Sequence, residues 1–203
     1  MHFFKTLVLA ASLLAGCLVS AQAQTIDVSG VKFQETLDFR GSKLVLNGAG
    51  TRYRAIIKVY AAGLYLPKKA ETPEEVLAMV GPKRMTITML REIDSPELGK
   101  LFTRSVEDNV SRTDFSKVVA GLVRMGQMFA DEKKMVAGDT FTIDWIPGTG
   151  TVITVRGKVS EPYKEPEFFT AMMSIWLGKS PADRQLKEAL LGKKAAVPGQ
   201  SNN

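Results

Sequence analysis

The chain has 203 residues, of which 45% are hydrophobic and 24% charged, enough apolar material for one globular domain with a real core. Its formal charge of +6 is mild and interspersed. Lys68-Lys69, Lys133-Lys134 and Lys193-Lys194 are pairs rather than runs, and no basic stripe carries the interleaved aromatics of a nucleic-acid surface.

Residues 1–23 are read as a secretory signal peptide. Met1 to Lys5 is a short n-region, Thr6 to Val19 is apolar and small, and Ala21-Gln22-Ala23 is an A-x-A cleavage site before Gln24. The expected destination is the periplasm. Leu14-Ala15-Gly16-Cys17 also matches a bacterial lipobox, so the alternative is a lipoprotein anchored through Cys17. The apolar run is too short for a membrane span, and no later segment is long and apolar enough for one. Cleavage after Ala23 would remove His2 and Cys17, the only histidine and the only cysteine. That excludes a histidine base, Ser-His-Asp and Cys-His nucleophiles, zinc sites with N or S ligands, and disulfides. No cofactor is expected. Loss of Lys5 leaves a small cationic excess, enough for a weak attraction to anionic membranes or small anions.

Residues 25–67 read as strands. Thr25 to Ser29 leads in. Val31 to Phe39 alternates, with Val31, Phe33, Leu37 and Phe39 on one side and Lys32, Gln34 and Asp38 on the other. Arg40-Gly41-Ser42 turns the chain and Lys43 to Asn47 returns. Gly48-Ala49-Gly50 reads as a glycine-punctuated turn into a strand that ends near Pro67. Arg52, Arg54, Lys58 and Tyr60 are all at even positions, so an unbroken strand puts them on one face. That face is either solvated or a cationic and phenolic floor under a ligand.

Thr72-Pro73-Glu74-Glu75 has the cap, proline and acids of a helix start, and Gly81-Pro82 stops the helix. Lys83 to Glu92 is a strand. Ser95-Pro96-Glu97 opens a helix to about Val110, and Thr113-Asp114 restarts it, with Phe115, Val118, Leu122, Met125 and Phe129 at helical spacing. Thr140 to Ile146, the turn Pro147 to Gly150 and Thr151 to Val159 form a hairpin. Glu165-Pro166-Glu167 starts a helix through Phe168, Met172, Ile175 and Trp176, and Ser180 to Asp183 starts the last, through Leu186 and Leu190. Strands, then helices, a hairpin and more helices make an α+β chain: a mostly antiparallel β-sheet with a layer of α-helices on one face. The interface between the layers is the natural cleft. The expected organisation is a signal peptide (1–23), one domain (24–192) and a polar C-terminal tail (193–203).

Three stretches resemble the chalcone isomerase fold, and specifically its bacterial exported, chalcone isomerase-like branch. Gly48-Ala49-Gly50-Thr51-Arg52 and Lys58-Val59-Tyr60-Ala61-Ala62-Gly63-Leu64-Tyr65-Leu66 are similar to the family's G-x-G-x-R turn and K-[FV]-x-A-x-G-[VL]-Y-L strand. Thr88-Met89-Leu90 and the helix with Phe102 and Asn109 are similar to one wall of the isomerase cleft. Leu177 to Ala182 looks like the family's I-G-x-x-x-S-P region, two residues shorter.

The resemblance implies a site. The arginine that holds substrate in plant chalcone isomerases corresponds to Arg52, and the asparagine to Asn109. The strand threonine falls on Tyr60, the helix tyrosine on Phe102 and the late Ser/Thr on Ile175. Phe102 has no hydroxyl to hold a water against a developing enolate, which removes one stabiliser of ring closure. A guanidinium suits a bidentate carboxylate, and relatives that bind fatty acids on this fold pair an arginine with a tyrosine. The expected function is therefore a non-catalytic, exported binder of a small amphipathic carboxylate such as a fatty acid. Arg52 and Tyr60 would clamp the carboxylate; Phe102, Met125, Ile175 and Trp176 would line the tail channel, with Asn109 nearby. The first alternative is a chalcone-type isomerase, or intramolecular lyase, using Arg52, Tyr60 and Asn109. The second is an envelope scaffold that uses the fold for interaction.

Overall fold

The computed structural model describes residues 24–193. The expected signal peptide, the possible anchor at Cys17 and all of the polar tail after Lys193 lie outside the described residues.

Hairpins build the sheet. Among the described residues, the short strands β1 (Thr25–Val28) and β2 (Val31–Gln34) pair only with each other. The alternating run from Val31 to Phe39 is not one strand: β3 (Thr36–Phe39) is separate. Glu35 breaks it, its N–H donating to the Gln24 carbonyl at 2.8 Å and its carbonyl accepting from Leu46 N–H at 2.8 Å. The chain thereby steps from the small hairpin into the main sheet. Arg40 and Gly41, at φ 48° and 77°, turn it into β4 (Ser42–Arg54). β4 runs for 13 residues straight through the glycines that the sequence suggests as a turn. β5 (Ile57–Leu66) returns, followed by α1 (Pro73–Ala78) and β6 (Lys83–Met89).

The short β7 (Ile93–Asp94) leads into α2 (Ser95–Glu107) and α3 (Arg112–Ala130), and β8 (Lys134–Met135) pairs back on β7. β9 (Thr140–Ile146) and β10 (Gly150–Val155) form the second hairpin. Arg156 and Gly157, at φ 49° and 83°, end β10 before the stub β11 (Lys158–Val159). The helices α4 (Pro166–Leu177) and α5 (Arg184–Leu190) close the chain. Among the described residues, side-chain caps fix four of the five helix starts: Thr72, Asp94, Ser111 and Asp183 each accept a backbone N–H from the first turn, satisfying donors that a helix end leaves unpaired.

The main sheet has the order β11-β10-β9-β6-β5-β4-β3 with every neighbour antiparallel. Even positions of β5 (Tyr60, Ala62, Leu64, Leu66) face the helices in the larger core. Odd positions (Ala61, Tyr65) face a smaller core with Phe33, Phe39 and Leu46, under the β1–β2 hairpin. Gly63 admits that hairpin, because a Cβ there would lie 2.6 Å from the Phe33 ring. The sheet is thus covered by helices on one face and in part by a hairpin on the other.

Candidate functional site

The candidate site begins at the end of the β4–β5 hairpin. Arg54 pairs with Ile57, so the two-residue turn Ala55-Ile56 separates the strands. Arg52, Arg54, Lys58 and Tyr60 therefore do not share one unbroken strand. Arg52 on β4 lies directly across from Tyr60 on β5, and a register shift follows between Arg52 and Tyr53. Directly opposed residues share a sheet face, which brings these two together by pairing. Arg54 and Lys58 are exposed.

The glycines of the motif seat a helix. A Cβ on Gly48 would lie 1.9 Å from the Ala189 carbonyl oxygen, and one on Gly50 2.7 Å from Ala189 Cβ. With both side chains absent, α5 lies directly on β4. Its cap residue Asp183 accepts from Tyr53 N–H at 2.9 Å and from Leu186 N–H at 3.1 Å, which sets the start of α5 beside Arg52. Arg52 is half-buried and forms no ion pair among the described residues. Its Cζ lies 5.7 Å from the Tyr60 ring centroid, within cation–π range.

Tyr60 is fully buried, and the Trp176 indole N–H donates to its Oη at 2.8 Å. The direction is forced, since an indole nitrogen only donates. The phenolic O–H is therefore left to donate elsewhere, and no acceptor for it occurs among the described residues. Burial pushes the Tyr60 pKa up to about 12, although Arg52 and the Trp176 hydrogen bond pull it down and Asp183 adds to the rise. At neutral pH Tyr60 is a hydrogen-bond donor and not a base.

Arg52 and Tyr60 line a cavity of about 50 Å³ together with Val59, Leu98, Phe102, Ser105 and Ile175. That volume admits one or two waters, each taking roughly 30 Å³, or the head of a carboxylate. It does not admit an alkyl chain. Below it the interior is closed by aromatic rings: Phe102 lies 5.8 Å from Phe129, 5.7 Å from Phe141 and 5.6 Å from Trp176 between centroids.

Of the residues expected at the site, Arg52, Tyr60, Phe102 and Ile175 line this one cavity. Trp176 stands behind Tyr60 as its hydrogen-bond donor rather than along a channel. Met125 is fully buried in the main core, and neither it nor Trp176 lines the cavity. Asn109 lies past the end of α2 and away from the cavity. Its amide donates to the carbonyls of Ser105 (2.8 Å) and Ser180 (2.9 Å) and accepts from Ser180 N–H (2.8 Å), which ties the α4–α5 loop to the end of α2. Sequence reasoning missed the apolar lining residues Val59, Ile93, Leu98, Leu101 and Ala182, and one polar lining residue, Ser105. It stands three residues after Phe102 on α2, a spacing that shares a helix face, and it brings a helix hydroxyl to the cavity wall. Among the described residues no group of three or more His, Cys, Asp or Glu could hold a metal.

An antiparallel sheet with helices on one face, and a cation–phenol pair between the layers, define an open-faced α+β sandwich with an interlayer site. The chain belongs to the chalcone isomerase-like family, whose model matches residues 24–192. Among solved structures, a fatty-acid binding protein of Arabidopsis thaliana shares the fold. It aligns over 83% of this chain and 96% of its own, with a TM-score of 0.65 at 17% identity. The comparison with curated proteins gives no match.

Proposed function

We propose that this protein is an exported, non-catalytic binder of a small amphipathic carboxylate such as a fatty acid, held by Arg52 and Tyr60. The observation that carries the reading is the pair of donors without acceptors. A half-buried guanidinium with no ion pair and a phenol already accepting from Trp176 both line one small cavity. A carboxylate supplies what both lack, and charge-assisted hydrogen bonds from a guanidinium and a phenol to one anion are the strong kind. The fatty-acid binding activity of the Arabidopsis protein of the same fold supports this ligand class. Export is supported by the signal-peptide pattern of residues 1–23.

Competition between a fluorescent fatty acid and dodecanoate tests the reading. Arg52→Ala removes hydrogen bonds to a charged group, each worth about 1.5–3 kcal/mol, so the affinity is expected to fall roughly tenfold to a hundredfold. Binding unchanged in Arg52→Ala, together with no carboxylate recovered with the purified protein, would overturn it.

Ser105 favours a chalcone-type isomerase as the second reading, because it puts a hydroxyl on the helix wall one turn from Phe102. Cyclisation of a hydroxychalcone, followed by absorbance, decides between the two. A rate equal to the spontaneous one rejects the isomerase for that substrate class.

A further inference from the structure

The tip of the β4–β5 hairpin breaks the chemistry of its own turn. Two-residue hairpin turns favour Asn-Gly, Asp-Gly or a leading glycine, because at least one position has positive φ. Here that position is Ala55, at φ 54°, a conformation that a Cβ disfavours. The next residue is Ile56, 92% exposed, and Ile57 beside it is 47% exposed. Neither choice helps the turn to form, and Ile56 stands almost wholly in solvent with Ile57 half exposed beside it.

The residues flanking the tip are cationic. Arg54 and Lys58 flank the isoleucines and are exposed. Arg91 is also exposed and follows Leu90, whose N–H donates to the Val59 carbonyl at 3.0 Å, so it borders the same end of the sheet. None of the three is in an ion pair among the described residues. The nearby acids are engaged: Glu92 pairs with Lys134 at 2.6 Å, and Asp183 accepts two backbone N–H groups. Exposed apolar side chains ringed by unpaired cations match the boundary between acyl chains and anionic headgroups. Arg52 lies just behind the tip on the same strand.

We propose that the β4–β5 hairpin tip docks on an anionic phospholipid bilayer, with Ile56 and Ile57 entering the acyl boundary while Arg54, Lys58 and Arg91 meet lipid phosphates. The inference stands without the ligand reading. Where both hold, Arg52, two residues before Arg54 on β4, lies close to the source of an amphipathic carboxylate.

The test uses the full chain with Ile56→Trp and vesicles whose acyl chains carry bromine, which quenches a tryptophan that enters them. With about 30 mol% phosphatidylglycerol the added fluorescence is expected to be quenched; in pure phosphatidylcholine it is not. Raising the salt should reverse the quenching, since attraction between exposed charges is screened. Ile56→Ser with Ile57→Ser should weaken vesicle binding about tenfold relative to the parent chain, and fatty-acid binding in vesicle-free buffer should stay unchanged. That second measurement separates the two proposals, because Arg52→Ala alone tests the ligand. No quenching in anionic vesicles, or equal quenching in both lipids, would overturn the docking. So would a dimer in sedimentation that the double serine variant dissociates with vesicle binding intact, because the tip would then join two copies of this chain.

Discussion

On the proposed function, the site at the residue scale depends on a directional chain, Trp176 to Tyr60 to carboxylate. An indole N–H that donates into a phenol strengthens the phenol as a donor, since hydrogen bonds in series polarise one another. Tyr60→Phe removes both links. It leaves the Trp176 N–H buried without an acceptor and should cost about 1–3 kcal/mol in urea unfolding. It should also change the alkaline limb of stability. Tyr60 holds its proton to about pH 12 in the folded state and to about pH 10 unfolded. Between those values the unfolded chain binds fewer protons, so stability falls as pH rises. Two pK units correspond to about 2.7 kcal/mol, most of it lost by the time the pH reaches the folded pKa. Tyr65 shifts the same way, and Lys83, its pKa lowered by burial, shifts the other way. The difference between parent and Tyr60→Phe isolates the Tyr60 share; identical alkaline slopes would show that Tyr60 is not the group responsible. The sequence made Arg52 and Tyr60 legible because a family motif spans both. It did not make Trp176 legible as their support. Nothing in a linear pattern tells that an indole 116 residues away points its N–H at a phenol.

At the element scale the G-x-G of β4 is a helix seat, and its mistaken reading as a turn has a physical cause. Glycine marks turns because it tolerates positive φ, yet it also marks close approach of backbones. Neither Gly48 nor Gly50 has positive φ. Both lie under α5, where a Cβ would strike Ala189. Gly48→Ala is therefore expected to cost about 3 kcal/mol through overpacking and to weaken carboxylate binding, because α5 carries Asp183 beside Arg52. Gly126, inside α3, is the control: a Cβ there meets nothing within 4 Å. Gly126→Ala should raise stability by about 1 kcal/mol from helix propensity alone. Equal effects at the two glycines would refute the seat. Strand and helix starts were legible where capping chemistry or alternation is local, as at Thr72-Pro73 and Thr140 to Ile146. The break at Glu35 was not, because the partners that claim its backbone, Gln24 and Leu46, are fixed only by the tertiary pairing.

At the scale of the whole molecule, the proposed carboxylate needs room for its tail. The two layers meet on large side chains, and the rings of Phe102, Phe129, Phe141 and Trp176 fill the space behind Arg52. A protein interior is close-packed, so a chain entering between sheet and helices must displace a side chain of similar size. Phe102 is the one that both lines the cavity and joins the ring cluster. With these rings in place, the tail of a carboxylate held at Arg52 has only an outward path. Phe102→Ala opens the inward one. It should cost about 3–5 kcal/mol of stability, as large-to-small changes of buried aromatics do, and part of that loss should return on binding, because apolar carbons refill the void. The expected signature is a change of slope. Across butanoate, octanoate and dodecanoate, affinity should rise more steeply with chain length in Phe102→Ala than in the parent, by up to about 0.8 kcal/mol for each added methylene that becomes buried. Parallel slopes would place the tail outside the layers in both proteins, with Arg52 and Tyr60 holding only the head.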